Sequence, residues 1–213
     1  MDLEPEPDLG TAPDATTARL GRAPVTTHGE LGHLALNLFL ERGFDETTID
    51  DIVRAAGIGR RTFFRYFKTK NELPWGDFGE LLEVMRGRLA VADEELPVME
   101  ALRHAVVDFN TFPEAEMPYH RGRMWLLFNV PSLSAYAMLK YADWRAVIAE
   151  FVAARRGERP EDLTPQTISW ACLGLCLGSY ERWLADEDAD LLELLDAAFA
   201  TAETVFGIAG SEA

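Results

Sequence analysis

The 213-residue chain has few cysteines, no long apolar run and no leader-like start, and each absence excludes a class of protein. Its two cysteines, Cys172 and Cys176, lie in one apolar stretch and do not form the disulfide framework of a small secreted protein. The first residues are acidic and rich in Pro, Ala and Thr, which does not fit a signal peptide. The longest apolar stretch, near residues 168–177, is shorter than the ~20 residues that a bilayer requires. We therefore expect a cytoplasmic protein that does not associate with membranes.

Signatures of catalysis and metal binding are also missing. The chain has no His-Glu-x-x-His pair, no phosphate-binding glycine loop and no nucleophile paired with a candidate base, and Gly57-x-Gly59 lacks a third glycine. The spacing of Cys172 and Cys176 suits a metal or a redox pair, but no His or acid joins them. We interpret both as small buried hydrophobic residues, and we expect no enzyme activity, no cofactor and no metal.

Acidic residues are absent from one short segment of an otherwise acidic chain. The formal net charge is -16, yet residues 60–70 contain five Lys or Arg side chains and no Asp or Glu. Charges are screened beyond ~8–10 Å at physiological salt, so DNA phosphates respond mainly to the nearest protein face. The basic segment therefore predicts a nucleic-acid contact despite the acidic body.

Apolar residues follow a helical period almost throughout the chain, and no segment alternates as a strand would. Thr48 predicts the start of a helix that Gly57 ends, and the basic helix of residues 60–67 follows that turn. A longer helix is expected from Lys70 to about Leu89. Further helices are predicted to begin at Pro97, at Pro131, and near residues 165 and 188. We predict an all-α protein of about nine helices.

The same pattern predicts four regions. Residues 1–24 contain four prolines and no apolar period, and are predicted to form a disordered arm. Residues 25–72 form the predicted helix-turn-helix domain. Residues 73–207 form the predicted ligand-binding and dimerisation domain, and residues 208–213 a tail.

A basic helix behind a tight turn is the physical form of a major-groove reader. Arg60 and Arg61 are long enough to reach base edges or phosphates, and Thr62 can contact a thymine methyl group or a phosphate. The candidate DNA contacts are Thr47, Thr48, Gly59, Arg60, Arg61, Thr62, Phe64, Arg65, Tyr66 and Lys70. Two alternatives remain: a helical hairpin with a solvated basic face, and a helical interaction module whose basic helix binds an acidic protein.

Residues 30–73 resemble the N-terminal domain of the TetR family of transcriptional regulators. The resemblance rests on Thr48, Ile52, Ala56-Gly57-Ile58-Gly59, Phe63-Phe64, Tyr66-Phe67, Lys70 and Leu73. The chain departs from the family pattern at Gly59 and Phe64, where Ser and Tyr are usual, and at His28 and His33, where basic residues are common. The resemblance implies a three-helix DNA-binding head, a helical C-terminal domain and a double-stranded operator.

Other segments resemble the TetR regulators found with mycofactocin biosynthesis clusters. These segments are residues 59–67, Trp75-Gly76-Asp77-Phe78, His120-Arg121-Gly122-Arg123-Met124 and Tyr141-Ala142-Asp143-Trp144-Arg145. The resemblance implies a repressor near redox-cofactor genes, and it suggests a small-molecule effector that is acyl-CoA-like.

Aromatic and thioether side chains in the C-terminal part are candidates for an apolar ligand pocket. Basic side chains beside them are candidates for binding an anionic head group. The candidate ligand-binding residues are Trp75, Phe78, Met85, Phe109, His120, Arg123, Met124, Phe128, Tyr141, Trp144 and Tyr180. In the alternative interpretation, most of these aromatics belong to the core, Arg123 pairs with nearby acids, and His120 is a hydrogen-bonded structural residue.

The helix near residues 168–177 is apolar nearly all round, so it must be covered on both sides. Together with the last helix, it predicts a four-helix interface of a homodimer whose two heads read a palindromic operator. The candidate interface residues are Ala171, Gly174, Gly178, Leu191, Leu194, Ala198 and Val205. The alternative is a monomer with a larger core. An effector would favour a state whose heads are spaced wrongly for DNA, with the helix from Lys70 to about Leu89 as the lever.

Overall fold

The structure, a computed structural model, describes residues 27–206, with side chains described to residue 204. The expected arm of residues 1–24, the tail of residues 208–213 and the Val205 side chain lie outside the described residues. The described range contains nine α-helices, two short 3₁₀ helices and no strand. The all-α prediction is therefore confirmed.

The first three helices form a compact head: α1 (His28–Arg42), α2 (Ile49–Ala56) and α3 (Arg60–Tyr66). At the start of α2, the Thr48 hydroxyl accepts from the Asp51 N–H and the Asp51 carboxylate accepts from the Thr48 N–H. Gly57 ends α2 in the left-handed conformation, with φ 67° and ψ 28°. This glycine allows the sharp turn that sets α3 against α2.

The underside of α3 is anchored in the core of the head. Phe63 and Phe67 are buried and pack with Phe39 of α1 and Ile52 of α2 in one hydrophobic cluster. Because these aromatic rings fix the inner face of α3, its basic residues are held on the opposite side.

The predicted helix from Lys70 to Leu89 is wrong in its first part. A 3₁₀ helix covers Lys70–Trp75, the chain bends at Gly76, and α4 spans Phe78–Ala90. Pro74 lacks an N–H to donate within a helix, and Gly76 has φ 50° and ψ -138°, far from helical values. The connection between head and body is therefore a bent joint and not one continuous lever.

Six helices form the body, which continues from this joint. Its helices pack in neighbouring pairs, with α7 against α8, α8 against α9, α9 against α5, and α5 against α4. None of the helices in the described range is long and apolar enough to cross a membrane. Their bounds are α4 (Phe78–Ala90), α5 (Val98–Phe109), α6 (Met117–Asn129), α7 (Pro131–Arg156), α8 (Leu163–Ala185) and α9 (Leu191–Phe206).

Two histidines of α1 hold the head against the body. His28 Nδ1 lies 2.7 Å from a carboxylate oxygen of Asp77, and the His28 ring stacks on Phe67 with centroids 4.1 Å apart. His33 Nε2 lies 3.0 Å from a carboxylate oxygen of Glu116, and its ring stacks on Tyr119 at 3.9 Å. Both histidines therefore contribute to the contact between head and body.

Candidate functional site

The outward face of α3 carries most of the predicted DNA contacts. Arg61, Phe64 and Arg65 are exposed, with 47% of Phe64 accessible, and Thr62 and Tyr66 are half-buried. Gly59 caps the helix without a side-chain hydrogen bond. The outward face of α3 therefore combines positively charged side chains with a solvent-exposed aromatic ring.

The arginines of α3 differ in their surroundings. Arg60 donates to the Asp50 carboxylate of α2 at 2.9 Å, so its charge is partly compensated within the head. The Arg65 guanidinium lies 4.9 Å from the centroid of the Tyr66 ring and donates to the Tyr66 hydroxyl at 3.1 Å. Arg61 has no ion-pair partner within residues 27–206. We therefore regard Arg61 as the cation of α3 most available for a phosphate or a base.

Two predicted DNA contacts belong instead to the internal framework of the head. Thr47 is only 1% exposed, and its hydroxyl donates to the Gly43 carbonyl at 2.7 Å. The Lys70 ammonium donates to the carbonyls of Phe44 and Thr47 at 2.7 and 3.0 Å, and burial lowers its pKa. Thr48 is exposed, but its hydroxyl already accepts from the Asp51 N–H in the cap of α2.

The body encloses a largely apolar cavity of about 80 Å³ between α4, α5, α6, α7 and α8. Nine predicted ligand-binding residues line it: Trp75, Phe78, Phe109, His120, Arg123, Met124, Tyr141, Trp144 and Tyr180. A second cleft, of about 270 Å³, lies between head and body. It shares five residues with the cavity: Trp75, Leu81, Phe112, His120 and Arg123. These shared residues mark the boundary between the two spaces.

Two predicted ligand-binding residues do not line the cavity. Met85 is 1% exposed and belongs to the core, and Phe128 packs with its ring centroid 6.4 Å from that of Tyr180. The prediction missed seven lining residues, most of them aliphatic: Leu81, Asn110, Phe112, Leu127, Leu173, Cys176 and Leu177. Aliphatic residues on a helical period look alike whether they face a cavity or the core, so the sequence offered no signal for them.

A hydrogen-bonded chain of three polar side chains crosses the cavity wall. His120 Nε2 lies 3.0 Å from the Tyr180 hydroxyl, which in turn donates to Asn110 Oδ1. Asn110 Nδ2 donates to the Val106 carbonyl at 2.8 Å. Burial, followed by the nearby charge of Arg123, lowers the pKa of His120 to about 3, so the imidazole is neutral at physiological pH.

Three polar atoms of the cavity wall are buried without a hydrogen-bond partner in the described part of the chain. They are Trp75 Nε1, His120 Nδ1 and Arg123 Nε. No carboxylate of the described residues lies within ion-pair distance of Arg123, and burial lowers its pKa. Such groups carry a desolvation cost that a ligand with matching polar atoms would offset.

The two cysteines behave as buried apolar residues. Both are free and buried in α8, and burial raises the pKa of Cys172 to about 12. Burial also raises the pKa of Cys176 well above its ordinary value. Within residues 27–206, no group of three or more His, Cys, Asp or Glu side chains is placed to hold a metal.

The predicted dimer face is only partly available. Ala171, Gly174 and Gly178 are exposed on α8, and Leu194 and Ala198 are half-buried on α9. Leu191 is 1% exposed, because it faces the core with Leu195 and Phe199. Leu191 was therefore assigned to the wrong side of α9.

Known proteins share both halves of this chain. Residues 33–73 match the bacterial regulatory proteins of the tetR family, and residues 96–207 match the MftR C-terminal domain. The chain is 47% identical over 182 residues to a Mycobacterium tuberculosis protein assigned as the mycofactocin biosynthesis transcriptional regulator MftR, across 85% of this chain and 92% of that protein. It is 28% identical over 183 residues to the HTH-type transcriptional regulator TcmR of Streptomyces glaucescens, across 83% and 80%.

Solved structures share the fold. Thermus thermophilus FadR, a TetR-family repressor in complex with lauroyl-CoA, gives a TM-score of 0.55 at 24% identity, across 88% of this chain and 97% of that chain. A TetR-family regulator from Syntrophomonas wolfei gives a TM-score of 0.64 at 13% identity, across 87% and 96%.

The helix-turn-helix head and the helical body together define a DNA-binding transcriptional regulator. The chain belongs to the TetR family, and its C-terminal half matches the MftR domain. These relatives are transcriptional regulators and not enzymes, in agreement with the expectation from the sequence. They also do not favour the alternative of a module that binds an acidic protein.

Proposed function

We propose that this regulator is a homodimeric repressor that leaves its operator when a small acyl ligand occupies the body. The proposal that a ligand regulates this protein rests on the apolar cavity, in which polar atoms of Trp75, His120 and Arg123 have no hydrogen-bond partner. Of the eight buried side-chain polar atoms without a partner in the described residues, these three belong to residues that line one cavity, where a ligand can pair with them.

The proposed DNA-reading surface is narrower than the one expected from sequence. It comprises the exposed and half-buried positions of α3, Gly59 before it and Thr48 at the start of α2. It omits Thr47 and Lys70 because their polar groups are bound within the head. Arg61 supplies the uncompensated charge, and Phe64 offers an apolar contact for a thymine methyl group. The proposed contacts are Thr48, Gly59, Arg60, Arg61, Thr62, Phe64, Arg65 and Tyr66.

The acyl part of the ligand would lie among the aromatic rings of the cavity, and its polar end against Arg123. The cavity alone is smaller than the ~300–1,000 Å³ of a typical ligand site. The adjoining cleft supplies further room and opens between head and body. A thioester carrier could pass through that cleft, which supports an acyl-CoA-like effector. Thermus thermophilus FadR, which shares this fold, forms a complex with lauroyl-CoA, and this supports the proposal of an acyl-CoA-like effector.

The position of the cleft supports coupling between ligand binding in the body and DNA binding by the head. Its wall includes His28, His33, Asp77 and Glu116, the residues that hold α1 against the body. An anionic group beside Arg123 would change the electrostatic surroundings of Asp77 and Glu116, whose charges act on Arg123. The ligand would thereby favour a different placement of the head.

The proposed dimer forms through α8 and α9. The exposed Gly174 and Gly178 have no atom within 4 Å of an added Cβ, so a partner helix could approach this face closely. Trp170, 48% exposed on the same helix, would be covered as well. Two copies joined here would present two copies of α3 to a palindromic site.

The DNA part is tested with promoter fragments from upstream of the protein's own and neighbouring genes, by fluorescence anisotropy at several salt concentrations. Arg61→Ala should weaken binding and lower the salt slope by about 0.9 for each phosphate that the variant no longer neutralises. Arg54→Ala, on the same head but outside α3, is the control and should bind as wild type. Undiminished binding by the Arg61 variant would remove α3 from its proposed role.

The effector part is tested by adding lauroyl-CoA to the preformed complex with DNA. Release by wild type, together with weaker release of the Arg123→Gln variant, is expected. Arg182→Gln, an exposed change on α8 whose ion-pair partner is Asp186, is the matched control. Equal release of all three proteins would show that Arg123 does not receive the anionic end of the ligand.

A further inference from the structure

The hydrogen bonds around Tyr180 determine which nitrogen of His120 carries the proton. Asn110 Nδ2 must face the Val106 carbonyl, to which it donates at 2.8 Å, so Asn110 Oδ1 faces Tyr180. The Tyr180 hydroxyl has a single proton and donates it to Asn110 Oδ1. Its oxygen can therefore only accept from His120, whose Nε2 lies 3.0 Å away. The neutral ring is protonated at Nε2, and Nδ1 carries a lone pair.

This lone pair belongs to a residue that lines the proposed binding region. His120 is 4% exposed and lines both the cavity and the adjoining cleft. Its Nδ1 is buried and has no hydrogen-bond partner among the described residues. A buried acceptor of this kind is stabilised by a ligand group that donates a hydrogen bond, such as a hydroxyl.

The neighbouring polar atoms have the opposite character. Trp75 Nε1–H and Arg123 Nε–H are donors, and both are buried without partners within residues 27–206. They match oxygen acceptors on the ligand. The polar part of the site thus offers one acceptor and two donors beside an apolar cavity.

We propose that the site selects acyl ligands that carry a hydroxyl group close to the carboxyl or thioester end. The hydroxyl donates to His120 Nδ1, while the carbonyl or carboxylate oxygens accept from Arg123 and Trp75. An unsubstituted acyl chain satisfies the two donors but leaves Nδ1 unpaired. This inference rests on the proposed ligand-regulated function and specifies the substituent that the ligand carries.

The first experiment measures the tautomer directly. Long-range nitrogen–proton NMR spectra of the full chain, labelled with ¹⁵N-histidine, should show His120 as the neutral Nε2–H form at pH 7. The Tyr180→Phe variant removes the acceptor of that proton, so its spectra should shift toward a mixture of tautomers. A neutral Nδ1–H form or a charged ring in wild type would overturn the inference.

The second experiment compares two matched probes, 3-hydroxydecanoate and decanoate, by isothermal titration calorimetry. Wild type should bind the hydroxylated probe about tenfold more tightly, the difference expected for one buried hydrogen bond. His120→Phe keeps an aromatic ring but no acceptor, so its two affinities should be equal. His120→Gln retains a hydrogen-bond donor toward Tyr180 and serves as a control for folding. Its thermal unfolding shows whether the cavity wall keeps its stability when His120 is replaced.

The outcomes separate this inference from the proposed function. Equal affinities in wild type, or no binding of either probe, overturn the selection of hydroxylated ligands. Preferential binding of the hydroxylated probe supports it, whether or not operator DNA is released. Preferential binding without release would contradict the proposed repressor mechanism and leave the ligand assignment standing.

Discussion

Replacing Lys70 by Met tests whether this lysine holds the head together or contacts DNA. The ammonium donates to the carbonyls of Phe44 and Thr47 and lies 4.1 Å from the centroid of the Phe44 ring. Hydrogen bonds from a charged donor contribute ~1.5–3 kcal/mol each. The lower end applies here, because the site is only partly buried and the replacement also removes the cost of desolvating the ammonium. The Phe44 carbonyl keeps the Thr47 N–H as a donor.

We therefore expect Lys70→Met to lower the free energy of unfolding by about 2 kcal/mol. For a chain of this size, that loss corresponds to a decrease in Tm of roughly 4–8 °C. Operator affinity should fall through reduced stability of the head, while the slope of log affinity against log salt stays as in wild type. If Lys70 neutralised a phosphate instead, the substitution would lower that slope by about 0.9 per subunit.

Lys68→Met is the matched control, since Lys68 is exposed at the end of the same basic segment. It should leave Tm unchanged within about 1 °C, as exposed substitutions usually do. Calorimetry and anisotropy titrations at four salt concentrations measure both quantities. A Lys70 variant with wild-type Tm and a reduced salt slope would refute the structural role and restore Lys70 to the DNA-contacting set.

Three further changes test the joint, the cavity and the dimer face. Gly76→Ala should lower the free energy of unfolding by about 1–3 kcal/mol, because the φ of 50° and ψ of -138° at this position are strained for any residue with a side chain. Gly87→Ala, on the open face of α4, should instead raise the free energy of unfolding by about 1 kcal/mol. Urea unfolding measures both changes. For His120, whose folded pKa is lowered, the unfolded chain takes up the proton more readily, so stability is lost as pH falls below the unfolded pKa of about 6.5. By pH 5.0 this loss reaches about 2 kcal/mol, and it should be missing from His120→Gln in paired urea titrations. Gly174→Glu should produce monomers in sedimentation experiments while Gly87→Glu remains dimeric, and a dimeric Gly174 variant would exclude the α8 face as the interface.

Local features of this fold could be predicted because their causes lie within a few residues. The capping box of α2 needs only Thr48 and Asp51, and the turn after it needs only Gly57. The burial of Phe63 and Phe67 follows from the apolar period of the head. In each case the interacting groups are close in sequence, so the pattern carries the information.

Features that depend on distant partners could not be predicted. Lys70 finds its acceptor at Phe44, 26 residues away, and the basic segment alone does not distinguish this bond from a phosphate contact. The chemistry of His120 depends on Tyr180 and Asn110, which lie far from it in the sequence. Only the fold brings these groups together, and only their combined hydrogen bonds assign the proton.

The bent joint changes how ligand binding and DNA binding can be coupled. A continuous helix from Lys70 would transmit a rigid rotation, whereas the bend at Gly76 separates the 3₁₀ helix of the joint from α4. The head contacts the body through His28 with Asp77, through His33 with Glu116, and through the packing of α1 against α6. Both carboxylates interact electrostatically with Arg123 at the boundary of the cavity. If a ligand lowers DNA affinity as proposed, reciprocity of coupling requires operator DNA to lower ligand affinity by the same factor.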